Sequence, residues 1–72
     1  MDTLISVMVL VKNNIQKIRC ERNISISELA RLSGISKSDL DSIELGFVTP
    51  RLTTAIKICK ALNLKIEDVF PY

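Results

Sequence analysis

Histidine is missing altogether, and the chain has only two cysteines, two glycines and two prolines among its 72 residues. The first absence removes the commonest general base and metal ligand. Cys20 and Cys59 cannot by themselves build a disulfide framework or a four-ligand zinc site. No cofactor and no enzymatic activity are expected. Charge is sparse too. Ten Lys and Arg against eight Asp and Glu leave +2, enough for a basic patch on one face but too little for a polybasic tail. The apolar run 4–11 is far shorter than the roughly 20 residues of a bilayer span. Asp2 stands where a secretory leader carries positive charge, and no small-residue cleavage site follows. Free cysteines without a leader fit a reducing cytoplasm, the expected location, with no membrane association.

What is present is a composition that folds: 47% hydrophobic and 25% charged residues. So short a domain buries only about 60% of its unfolded surface, so it leans on well-capped helices or on a second chain. The caps are visible. Ile24-Ser25-Ile26-Ser27-Glu28-Leu29 recurs eleven residues later as Ile35-Ser36-Lys37-Ser38-Asp39-Leu40. In each copy the serine reads as an N-cap, the acid three positions on reaches back to it, and the leading isoleucine staples onto the leucine. Asn23, Gly34, Gly46 and Asn63 read as stops, because these residue types tolerate the left-handed conformation that ends helices. Thr49-Pro50 reads as a further cap with proline at the first helical position. Helices are therefore expected over about 13–22, 26–33, 37–45 and 50–62, with a short, poorly capped turn over 66–70 behind Lys65. Apolar spacing marks a core of Ile15, Ile18, Leu29, Ala30, Leu32, Leu40 and Ile43, continued by Leu52, Ala55, Ile58, Cys59 and Leu62. Ile24, Ile35, Ile66, Val69 and Phe70 complete it.

Two short helices joined by Ser33-Gly34-Ile35-Ser36 make a helix-turn-helix, in which Ala30 allows a close crossing and Gly34 supplies positive φ. The pattern resembles the phage-repressor (Cro-like, XRE) helix-turn-helix family over residues 13–70. The resemblance is carried by Ile18-Arg19, Ser25 to Ala30, Gly34-Ile35-Ser36, Ile43-Glu44-Leu45-Gly46 and Pro50, and then by Ile58 to Leu62 and Asp68-Val69-Phe70. It implies an all-α, five-helix, lambda-repressor-like domain over 13–72. Residues 1–12 are left as an apolar extension.

The resemblance also implies a small transcriptional regulator, a repressor or autoregulator, that reads an inverted repeat in double-stranded DNA as a homodimer. Lys37, Ser38 and Ser42 match its base-reading positions, and Lys or Ser can bond base edges there. Asp39 is read as a helix cap or as an acceptor from cytosine N4, and Asp41 as solvated. The family often has a phosphate-binding Gln where this chain has Ile26. Ser25, Ser27 or backbone N–H groups are expected to replace it, with Ser36, Lys37 and Arg51, and also Lys12, Arg31 or Lys57, as phosphate contacts. Arg19 and Glu44 match a structural ion pair. Cys20 is expected to be exposed and Cys59 to fill a small core position.

Residues 3–11 lie outside the family pattern. Their Val and Ile content favours a strand that pairs two subunits. Two other readings stay open: an extension of the first helix along Leu4, Met8, Val11, Ile15 and Ile18, or a start at Met8. The rival function is a protein-interaction module on the same scaffold, an antitoxin or anti-repressor. It is favoured by the weak net charge, Ile26 and the two aspartates.

Overall fold

The serines at 25 and 36 start two of the five helices in the described residues, 13–71, of the computed structural model. These helices are α1 (Ile15–Arg22), α2 (Ile26–Ser33), α3 (Lys37–Glu44), α4 (Leu52–Leu62) and α5 (Ile66–Val69). Ser25 Oγ accepts from the N–H of Glu28 at 3.0 Å, and Ser36 Oγ accepts from that of Asp39 at 3.1 Å. The return half of the first box is absent, because both carboxylate oxygens of Glu28 are bonded to Arg31. Asp39 bonds only through its backbone among the described residues. The stops fall as the residue types require: Asn23, Gly34, Gly46 and Asn63 have φ of 57°, 72°, 85° and 58°.

Two helix starts depart from the spacing. α1 opens at Ile15, whose N–H donates to Asn13 Oδ1 at 3.1 Å. α4 opens at Leu52 rather than at Pro50, with Arg51 as an N-cap that supplies no side-chain acceptor. Proline keeps Thr49 extended, and the chain stays extended through Arg51, at φ −68° and ψ 159°. The last helix is better capped than expected. The Lys65 ammonium has no lone pair to offer, but Asp68 Oδ2 accepts from the Lys65 N–H at 3.2 Å.

α2 is the central helix and packs against both α3 and α4, while α5 packs on α4. Ile15, Leu29, Leu40, Ile58, Leu62, Val69 and Phe70 are fully buried, and Ala30 lets the helices approach. Ser33 is buried as well, its hydroxyl donating to the Leu29 carbonyl at 2.7 Å. α1 is tied down at both ends: the Asn14 N–H donates to the Val69 carbonyl at 2.8 Å, and Arg22 Nη1 donates to that of Leu62.

Leu32, Leu52 and Ile66, expected in the core, are exposed at 47%, 67% and 39%. At about 100° per residue, the buried arc of α2 runs from Leu29 through Ser33 to Ala30, and Leu32 falls beyond its edge. Leu52 and Ile66 are the first residues of their helices, ahead of the buried positions that follow. Ile26 is half-buried against the core. The expected N-terminal strand, and Lys12, lie outside the described residues.

Candidate nucleic-acid interface

Capping decides what α3 can present. With Ser36 holding the first turn and Leu40 and Ile43 buried, the helix turns Lys37, Ser38, Asp39 and Asp41 outward. Ser38 and Ser42 stand four residues apart and share one face, Ser42 half-buried and Ser38 exposed. Lys37 makes no ion pair among the described residues, so its ammonium is available to an outside acceptor.

Beside α3 lies an open groove of about 480 Å³ between the α2–α3 turn and the start of α4. Ser36 and Ser42 line one wall; Thr49, Arg51, Thr54 and Lys57 line the other. Arg51 and Lys57 make it cationic, and Asp39, which also lines it, opposes them. The first N–H groups of α4 have no side-chain cap and open the helix with donors suited to an anion. Of the sequence-derived phosphate contacts, Ser36, Arg51 and Lys57 meet in this groove with Ser42. Lys37, Ser38, Ser25 and Ser27 do not line it. Ser25 and Ser36 each spend acceptor capacity on a cap, yet each hydroxyl keeps its proton to donate. Arg31 is engaged with Glu28, which holds that carboxyl below its ordinary range.

A bidentate ion pair sets the angle of α3 against α1. Arg19 Nε donates to Glu44 Oε2 at 2.8 Å and Nη2 donates to Oε1 at 2.7 Å, with the side chains 14% and 5% exposed. Nη1 completes the fork by donating to the Ile24 carbonyl at 3.0 Å. The bond to Glu44 holds the Arg19 guanidinium above its usual range despite burial, and the negative charge of Asp41 adds to this. Asp41 thus sits in the field of Arg19 as well as at the surface. Cys20 is exposed; Cys59 is buried, and burial pushes its thiol up.

Sequence reasoning missed three features. Thr49 and Thr54 join the groove through the packing of α4, which no local motif announces. Asn13 clasps α3, its Nδ2 donating to the Ile43 carbonyl at 2.9 Å. Leu45, Phe47 and Val48 stand exposed after α3; three apolar residues around a helix stop were the available signal. Among the described residues no helix is long and apolar enough to cross a membrane, and no cluster of His, Cys, Asp or Glu could hold a metal ion.

Comparison with known proteins agrees with this geometry. The helix-turn-helix family model matches residues 15–69. The uncharacterized HTH-type transcriptional regulator YgzD of Bacillus subtilis is 37% identical over 60 residues, covering 83% of this chain and 91% of the relative. An uncharacterized HTH-type transcriptional regulator of Methanocaldococcus jannaschii is 37% identical over 62 residues, 86% of this chain and 94% of its own length. One from Archaeoglobus fulgidus is 33% identical over 60 residues, 83% and 84% of the two chains.

Proposed function

Because the chain belongs to the helix-turn-helix family, we propose that it is a cytoplasmic, non-enzymatic transcriptional regulator that binds double-stranded DNA with α3 in the major groove. The observation that carries this reading is the outward face of α3, with Lys37, Ser38 and Ser42, set beside the cationic wall of Arg51 and Lys57. Lys37 donates to guanine O6 or N7, and the two serines bond either base pair. Arg51, Ser36, Ser25 and Ser27 hold phosphates and set the register without reading sequence. Arg19 and Glu44 fix the angle at which α3 enters the groove. None of the three readers is bidentate, so each discriminates at the low end of about 1–3 kcal/mol. A homodimer reading an inverted repeat with half-sites about 34 Å apart compensates for this, acting as a repressor or autoregulator.

Selection from random duplexes, followed by anisotropy titration, tests the proposal. An inverted repeat should emerge, and binding should weaken about fivefold or more in Lys37→Ala and in Ser42→Ala with helicity unchanged. Undiminished affinity in both variants removes α3 from the reading role. One observation favours a second reading: Asp39 and Asp41 are exposed on that outer face and repel phosphate. A protein-interaction module, an antitoxin or anti-repressor, would give a stoichiometric complex in a pull-down and no mobility shift on the DNA beside its own gene.

A further inference from the structure

The most exposed apolar side chain among the described residues is not alone. Phe47, at 69%, stands between Leu45 at 51% and Val48 at 48%, in the chain that leaves the C-terminal end of α3. A solvated loop needs no such run, since loops are held together by polar and turn-forming residues. Asn13 is fastened to this same end of the helix, its Nδ2 donating to the carbonyls of Ile43 at 2.9 Å and Glu44 at 3.5 Å. Its Oδ1 accepts from Ile15, so both ends of the amide are held. The chain therefore enters the domain next to the residue at which the apolar edge begins. Ahead of that entry, separated from it by Lys12, lie residues 3–11, with Leu4, Ile5, Val7, Met8, Val9, Leu10 and Val11 and no charge.

We propose that residues 3–11 dock on the Leu45–Phe47–Val48 edge of the same molecule. Length does not limit the contact: nine residues span about 30 Å extended and about 13 Å as a helix, from an anchor at the Ile43 and Glu44 carbonyls. A tether this short holds the segment at an effective concentration on the order of millimolar, which favours it over a second copy. Neither surface carries a charge that docking would strand. Burying three half-exposed side chains against aliphatic partners removes apolar surface on both sides.

The chain has no tryptophan, so Phe47→Trp supplies a single reporter. In the full-length protein its emission should be blue-shifted and poorly quenched by acrylamide at every concentration. Adding Val7→Asp and Met8→Asp, adjacent residues that charge either face of the segment, should shift it red and raise quenching severalfold with helicity retained. Solvent-like emission before those charges are added, or protected emission after them, overturns the proposal. A second measurement needs no substitution. Nuclear Overhauser contacts between the Phe47 ring and methyl groups of residues 4–11 are expected within one molecule. Their absence, or their appearance only between differently labelled copies, overturns it by leaving the edge bare or giving it to a second chain.

Discussion

Arg19 has every side of its fork engaged, two nitrogens on Glu44 and the third on the Ile24 carbonyl. Removing one partner leaves a charge in a site that water barely reaches, a cost of about 3–5 kcal/mol for buried pairs. The pair lies near the surface of a small domain, so Glu44→Ala should cost about 3 kcal/mol in urea denaturation. Arg19→Met combined with Glu44→Leu should recover most of that, since neither charge remains to be stranded; a double variant as unstable as the single one would contradict this. Cys59 gives a pH signature. Burial raises its folded-state pKa above the ordinary 9.0, so the unfolded chain releases the proton first. Its contribution is complete below the unfolded value and declines as pH rises through the folded one. Stability should therefore fall above pH 9.0 more steeply in the native protein than in Cys59→Ala, compared by thermal melts from pH 7 to 10.

Elements are where the sequence was most legible, because caps act over three or four residues. Ser25 and Ser36 start α2 and α3 where their spacing to Glu28 and Asp39 requires, and four left-handed residues stop the helices. Ser25→Ala and Ser36→Ala should each cost about 1 kcal/mol by calorimetry, and nearly add in the double variant. Gly34→Ala should cost about 1–2 kcal/mol from backbone strain alone, for φ is +72° and an added Cβ meets nothing within 4 Å. Gly34→Asn should cost less, since asparagine tolerates that region. The start of α4 was not legible. Thr49-Pro50 has the chemistry of a cap, but the chain remains extended to Arg51, and that shift leaves Leu52 facing solvent. The site was half legible. Lys37 and Ser38 on the outer face of α3 follow directly from the Ser36 cap, whereas Thr54 lines the neighbouring groove only because α4 packs on α2. Arg19 and Glu44 stand 25 residues apart, and only the family resemblance linked them before the fold did.

On the scale of the whole molecule, a net charge of +2 does not say which cations are free to meet DNA. Arg19 is spent on Glu44, Arg31 on Glu28 and Arg22 on the Leu62 carbonyl. Around the α3 face this leaves Lys37, Arg51 and Lys57. With Lys37 on a base, Arg51 and Lys57 each hold one phosphate, so a protomer neutralises two. At a slope of about −0.9 per phosphate, log K against log salt should run near −2 for one protomer and near −4 for two on an inverted repeat. Each Arg51→Ala protomer removes one contact. The magnitude of the slope should therefore fall by about 2 if two protomers bind and by about 1 if one does. Anisotropy titrations from 50 to 300 mM salt separate these cases without a prior assumption about the oligomer. A slope near zero in the native protein would mean that the cations around α3 meet no phosphate at all, and the exposed aspartates would then decide the partner.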